Sequence, residues 1–345
     1  MRHMRTAAFA IPVVGLLSAT PALAQAEFYK GKTVELIIST GAGAGHDHNA
    51  RVVARYLANH IPGNPTIVPK NMPGAGHIRA ANYVFSQAPK DGTTIATFIP
   101  IFVMAQILGR GKSAQFNPAE FEWLSSTSSS NSTVYTWHTS GVRTLEDAMK
   151  REVLMGGTGV GSYSVIYPTI TNSVLGTKFK LVMGYKSTSE VGIALERGEI
   201  QGRAGNNFNS LKVENGEWLT AGKVNLLAQV GLERDPEFAD LPLLLEFAKT
   251  EEARALLRFF STDVVIGRPF VTSPGVPAGR VAVLRKAFDS LMKDPAFLAE
   301  MNKTGLGIQP VPGERLQTLV REFMNTPDAI VSKAREAVEP RSARP

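Results

Sequence analysis

The sequence predicts an α/β protein of two domains with largely parallel sheets. Three observations carry that expectation. The 345 residues exceed one ordinary domain. Short apolar runs alternate along the chain with segments of helical spacing. Three glycine-rich loops each follow such a run, and in open α/β sheets ligands sit beyond the carboxyl ends of strands.

The stretch Val34 to Tyr56 sets the pattern. The run Val34, Leu36, Ile37, Ile38 stops at Ser39-Thr40, and Gly41-Ala42-Gly43-Ala44-Gly45 follows. Ala50, Val52, Val53, Tyr56 and Leu57 then recur at helical spacing. Strand, turn and helix in that order leave free N–H groups at a helix N-terminus, where the dipole favours an anion. A tight turn with no ligand is the other reading. The dinucleotide fingerprint fails, because His46 stands where its last glycine belongs. A P-loop fails for want of a lysine.

Two further units repeat the design. Thr66 to Lys70 runs into Asn71-Met72-Pro73-Gly74-Ala75-Gly76, and a helix spans 77–86 with Ile78, Ala81 and Phe85 inward. Thr93 to Phe98 is a third strand, and Ile99 to Leu108 is apolar throughout. The polar tract Ser125 to Thr133 suits an interdomain passage, as does the loop near Phe238–Leu245. Thr144 with Asp147 three residues on makes a capping box. The strand Glu152 to Met155 meets the third loop, Gly156 to Ser162, followed by a helix from Tyr163 to Leu175. Later strands are expected at 180–183, 200–205 and 223–230, with Asn206-Asn207 closing the second of these. Asp263 to Ile266 and Pro269 to Val271 read as strands. Helices are expected at 280–293, 295–302 and 312–325.

Arg2, Arg5, the apolar run Ala7–Ala19 and small residues to Ala26 form a secretory signal peptide over 1–26. The tail after Glu339 reads as flexible. No later segment is apolar enough to span a bilayer, and the chain has no cysteine. A soluble periplasmic protein is expected. The net charge is +7, or +5 without Arg2 and Arg5. That balance suits an acidic small ligand. It is too diffuse for nucleic acid.

Four segments, LIISTGAGAGHDHNARVVARYL, PKNMPGAGHIRAANYVFSQAPKDGTTIATF, GGTGVGSYS and RPFVTSPGVPAGRVAVLRKAFDSLMKDPAF, resemble the substrate-binding proteins of tripartite tricarboxylate transporters, the TctC or Bug receptors. The resemblance covers the mature chain in order. It implies a two-lobed, type II periplasmic binding protein of the Venus-flytrap kind, each lobe a mostly parallel sheet flanked by helices. Lobe 1 would comprise 27–130 and 243–345, and lobe 2 would comprise 131–242. It implies no enzyme and no cofactor. The ligand would be a small organic carboxylate, whether dicarboxylate, tricarboxylate or aromatic acid, passed to integral-membrane transporter subunits. Two facing loops would grip it: Thr40, Gly41, Ala42, Gly43, Ala44, Gly45, His46 and Asp47, and Thr158, Gly159, Val160, Gly161 and Ser162. The family's first loop reads P-G-G-x-x-D; this chain keeps Asp47 and has alanines for the proline and one glycine. Where family members often carry a histidine after the second loop, this chain has Val165.

Residue chemistry adds to the site. A donor imidazole at His46 could bind a carboxylate. Asp47 is expected to turn to backbone N–H groups, since it would repel an anion. Asn206 or Asn207 could offer an amide, or both could be a turn pair. Arg203 or Arg268 could clamp a carboxylate, and Tyr163 or Trp137 could stack on an aromatic ligand. Two other classes stay open: a secreted hydrolase, for which no G-x-S-x-G occurs, and a metal receptor using His46, His48 and the nearby His77.

Overall fold

The computed structural model describes residues 28–43, 45–74, 77–109, 114–158, 162–185, 188–305 and 307–338. The expected signal peptide over 1–26, the tail after Glu339 and the loop residues Ala44, Gly159, Val160 and Gly161 lie outside the described residues.

The chain opens with β1 (Thr33–Ile38), α1 (Gly45–Leu57), β2 (Thr66–Asn71), α2 (Ile78–Ser86) and β3 (Thr94–Thr97). Next come α3 (Ile101–Ile107) and β4 (Glu122–Ser126). A second set holds β5 (Ser132–Trp137), α4 (Leu145–Lys150), β6 (Glu152–Gly157), α5 (Tyr163–Ile170) and β7 (Lys178–Met183). It continues with α6 (Thr188–Glu196), β8 (Gly202–Asn207), α7 (Phe208–Thr220) and β9 (Val224–Val230). The return runs through α8 (Glu251–Ile266), β10 (Pro269–Thr272), α9 (Ala278–Leu291) and α10 (Pro295–Lys303). It ends in β11 (Val311–Pro312), α11 (Gly313–Met324) and α12 (Asp328–Val338).

Two sheets result, in the orders β11-β4-β10-β3-β1-β2 and β7-β6-β8-β5-β9. Alternation along β1 decides how the first is covered. Leu36 and Ile38 join Ala50, Val52 and Val53 of α1 in one buried cluster, while Ile37 joins Ile78 and Ala81 of α2 in another. Each valine, leucine or isoleucine among them contributes about 1.5–3 kcal/mol by leaving water.

The sheets are mixed, where the sequence predicted mostly parallel ones. β1 is parallel to β2 and β3, and β6 to β7 and β8. β10 runs antiparallel to β3 and β4, and β5 antiparallel to β8 and β9. Crossover helices force the first group to be parallel. β4, β5 and β10 are where the chain leaves or enters a sheet, so no crossover fixes their direction.

Three local expectations also change. Asp263 to Ile266 is the last turn of α8, not a strand. The β-branched run there favours a strand, but the helix is already propagating from its Thr250 cap, and tertiary packing overrides propensity. α7 was not anticipated, because Asn215 sits inside it at non-helical φ −147° and blurs the periodicity. α12 was not anticipated either. The Thr144–Asp147 capping box is present with both of its hydrogen bonds. Leu243, in the loop expected to hold a passage, still bridges Gln229 of β9.

Candidate functional site

Each sheet has a switch point. β2 and β3 lie on opposite sides of β1, so α1 and α2 leave on opposite faces and a crevice opens beyond β1 and β3. β7 and β8 flank β6 in the same way. Between the two ends lies a cavity of about 340 Å³, within the range of small-molecule sites. On the first side it is lined by Gly45, His46, Ile99, Pro100, Asp263 and Arg268. Ser132, Tyr163, Gly205, Asn207, Ser210 and Glu214 line the other. Ser128 and Ser130, in the passage between β4 and β5, line it as well.

The first loop is held by the residues around it. Asp47 Oδ2 accepts from the Gly43 N–H at 2.8 Å, and both its oxygens accept from Arg51 Nε at 3.0 Å. Asn71 Nδ2 donates to Asp47 Oδ1 at 2.7 Å and to the Thr40 carbonyl at 2.9 Å. Burial alone would raise the Asp47 pKa; the bonds from Arg51, Asn71 and Gly43 hold it below the usual range. This carboxylate is therefore turned into the loop and away from the cavity. The hydroxyls of Ser39 and Thr40 are buried without a partner. Gly41, Ala42 and Gly43 are exposed.

His46 reaches the cavity as a neutral ring. Its Nε2 shares a 2.9 Å hydrogen bond with Thr97 Oγ1 at the end of β3. Burial, then the Arg268 charge, then His77 push its pKa down to about 3. A protonated His46 gripping an anion is thus disfavoured. The His77 ring donates Nδ1–H to the Ser39 carbonyl at 3.1 Å, and burial lowers its pKa too. Asp47 is occupied as described and His48 is exposed, so the three adjacent residues diverge. Among the described residues no group of three or more His, Cys, Asp or Glu is placed to hold a metal ion.

On the facing side, Asn207 is the N-cap of α7: its Oδ1 accepts from the Ser210 N–H at 2.7 Å. Its neighbour Asn206 is buried and leaves its Nδ2 without a partner. Asn206 and Arg203 lie beside Tyr135, which belongs to a different core cluster from the one Tyr163 packs against, and Arg203 is not among the described residues lining the cavity. The backbone N–H of Thr158 donates to Ser164 Oγ at 3.2 Å, and the Ser162 and Ser164 hydroxyls pair at 2.8 Å. His46 bonds Thr97 rather than a serine, so these residues form no Ser–His pair. Trp137 packs edge-on against Trp218 in a core cluster, whereas Tyr163 lines the cavity.

Arg268 is the cation of the cleft among its described lining residues. It leaves α8 at Gly267, its backbone N–H donates to Ser126 Oγ at 2.9 Å, and its Nη1 donates to Ser128 Oγ at 3.3 Å. Asp263, five residues earlier, was not foreseen at the site. Neither of its oxygens has a donor within hydrogen-bonding distance, although the Tyr163 hydroxyl is near enough to temper its pKa. Burial pushes that pKa up to about 7. Glu214, Ser210 and the passage serines were also missed as lining residues; a lone acid within FFSTDVVI was the one signal available.

No family model matches the sequence. A UPF0065 protein from Cupriavidus necator, encoded in the gbd 5′ region, is 24% identical over 327 residues, which is 92% of each chain. A TctC solute-binding protein from Polaromonas superposes with TM-score 0.68 at 18% identity, covering 88% of this chain and 99% of that one. The periplasmic binding protein BugD gives 0.62 at 21% identity, over 90% and 98%. MatC from Rhodopseudomonas palustris, solved with malate bound, gives 0.59 at 19% identity, over 89% and 99%. The chain has the two-lobed fold of the TctC and Bug periplasmic solute-binding proteins.

Proposed function

We propose that this chain is a periplasmic receptor that captures a small organic carboxylate in the cleft and delivers it to a tripartite tricarboxylate-type membrane transporter. One observation carries the reading. The Arg268 guanidinium stands in a cavity rimmed by serine hydroxyls and the N-terminus of α1. Those groups suit a carboxylate: a fork-shaped cation, hydroxyl donors and a positive helix end. The fold and the malate held by one neighbour support it. The arrangement offers binding groups and assigns no reacting residue, so the role proposed is capture rather than catalysis. No helix among the described residues is long and apolar enough to cross a membrane, so delivery calls for separate membrane subunits.

Thermal unfolding of the mature protein against dicarboxylates, tricarboxylates, aromatic acids and amino acids tests this. A ligand at 100 times its Kd should add about 2.7 kcal/mol of stability. Arg268→Ala should raise the Kd of that ligand at least about tenfold, while leaving the fold intact. If none of these acids stabilises the wild-type protein, the receptor reading is wrong.

A further inference from the structure

Among the described residues that line the cavity, Arg268 is one cation facing two acids, Asp263 and Glu214. The acids come from opposite sides: Asp263 from α8 and Glu214 from α7 of the second sheet. Glu214 is exposed, and water can solvate it. Asp263 is different. It is 0% exposed, and no donor comes within hydrogen-bonding distance of either oxygen, although the Tyr163 hydroxyl and the Val264 N–H lie near enough to favour its charged form. A carboxylate buried without a partner is among the costliest arrangements a protein can hold. Structural acids in cores are paired; an orphan in the wall of a binding cavity is a group waiting for a ligand.

The charge layout also says what that ligand carries. A dicarboxylate held at one end by Arg268 would bring its second carboxylate into walls that contain both acids. Above pH 7, where Asp263 is mostly ionised, like charges there oppose binding. A ligand with a protonated amine would instead give Asp263 the cationic donor it lacks. Resting on the carboxylate-receptor reading, we infer that Asp263 selects a carboxylic acid that also bears a protonated amine, with Arg268 holding the carboxylate and Asp263 the ammonium. The ligand is then an amino acid of low net charge rather than a plain dicarboxylate.

Tyr163 and Tyr167 of α5 are the titratable groups that face Asp263, and both phenols are held neutral by burial. Ligand binding should therefore ionise Asp263 alone. With its pKa near 7, affinity for an aminocarboxylate should rise about tenfold between pH 6 and pH 8, as the ionised fraction grows.

The test is calorimetric titration of the mature protein with matched pairs: succinate against β-alanine, glutarate against 4-aminobutanoate, malate against aspartate, with neutral α-amino acids added. An aminocarboxylate should bind at least tenfold more tightly than its dicarboxylate counterpart. Asp263→Asn keeps the shape and removes the charge; it should erase or reverse that preference, and circular dichroism checks that it folds. If the variant does not fold, the pH profile of the wild-type protein decides, and affinity falling from pH 6 to pH 8 overturns the inference. Dicarboxylates binding as well as or better than their amino counterparts would overturn it too, and would leave the receptor reading standing. An unchanged preference in folded Asp263→Asn also overturns it. If no carboxylate of either series binds, the receptor reading falls and takes this inference with it.

Discussion

Asn71 donates its side-chain amide to Asp47 Oδ1 at 2.7 Å, joining the end of β2 to the start of α1 across the first glycine-rich loop. Arg51 completes the clasp, with Nε on Asp47 and Nη2 on Asn71 Oδ1 at 2.7 Å. The loop's path is therefore fixed from the side of Asp47, Arg51 and Asn71, while Gly45 and His46 line the cavity. Asp47→Ala should destabilise the protein by about 2–3 kcal/mol, the scale of lost hydrogen bonds to a charged group, and should weaken ligand binding as well. Because the folded-state pKa of Asp47 is lowered, its contribution is present above about pH 4 and lost as pH falls through that lowered value. Urea unfolding at pH 7 and pH 3 should show the gap between wild type and variant closing in acid. A gap that stays constant would remove Asp47 from the role.

His46 bears on stability with the opposite chemistry and the same sign. The unfolded chain takes up a proton on this ring near pH 6.5, whereas the native ring resists until about pH 3. Acid therefore favours unfolding, by about 1.4 kcal/mol per pH unit below pH 6.5. His46→Gln can still hydrogen-bond Thr97 and carries no titrating group. Its stability should fall less steeply than wild type between pH 7 and pH 5, a difference in slope that cancels the other histidines. Parallel slopes would mean that His46 titrates normally.

The beginning of the cleft was legible in the sequence for a local reason. The apolar spacing of Leu36, Ile38, Ala50, Val52 and Val53 encodes a strand and helix packed on each other, and a loop between them must lie at the sheet's carboxyl edge. The Thr144 capping box was legible because it spans four residues. Asp263 was hidden because its position depends on α8 bringing it up to Tyr163 and Tyr167 of α5, a proximity no short window contains. Asn206 and Asn207 were seen, but not which of them faces the cavity. A register shift in the β5–β8 pairing, opposite the unpaired Gly205, sets that.

Gly267 is where α8 gives way to Arg268, and no other residue fits there. Its φ is +62°, and a Cβ would stand 1.8 Å from the Ser128 carbonyl oxygen. Relieving that overlap must push apart the passage serines and the segment that carries Arg268. Gly267→Ala should cost about 3 kcal/mol or more and should lower affinity beyond what its effect on folding explains. Unfolding and titration below the variant's melting temperature separate the two. A stable variant with wild-type affinity would show that the passage and the site are uncoupled.

Export is checkable on the cell-derived protein. The Arg2–Arg5 cluster, the apolar run and the small residues to Ala26 place the mature start at Gln25, Ala26 or Glu27. Mass spectrometry of the periplasmic fraction should find one of these N-termini. Secreted protein that retains Met1 would exclude the cleavage.

The cavity draws its walls from both sheets, and neither wall alone can surround a carboxylate. Arg268 and His46 stand on one side, with Asn207 and Ser210 on the other. Between them, the Arg268 N–H donates to the Ser128 carbonyl at 3.0 Å and the Ser129 N–H to the Gln309 carbonyl at 3.0 Å, tying the passages together at the cleft's base. A ligand can shift the lobes only through contacts that improve when they approach. Binding should therefore close the cleft about these passages as a hinge. Small-angle scattering with and without a saturating ligand should show the radius of gyration shrinking in the wild-type protein. Arg268→Ala should not shrink at the same ligand concentration, because the anchor that links ligand to the first wall is gone. Wild-type protein that binds tightly with an unchanged radius of gyration would rule out closure, and would leave a preformed cleft that the ligand enters without moving the lobes.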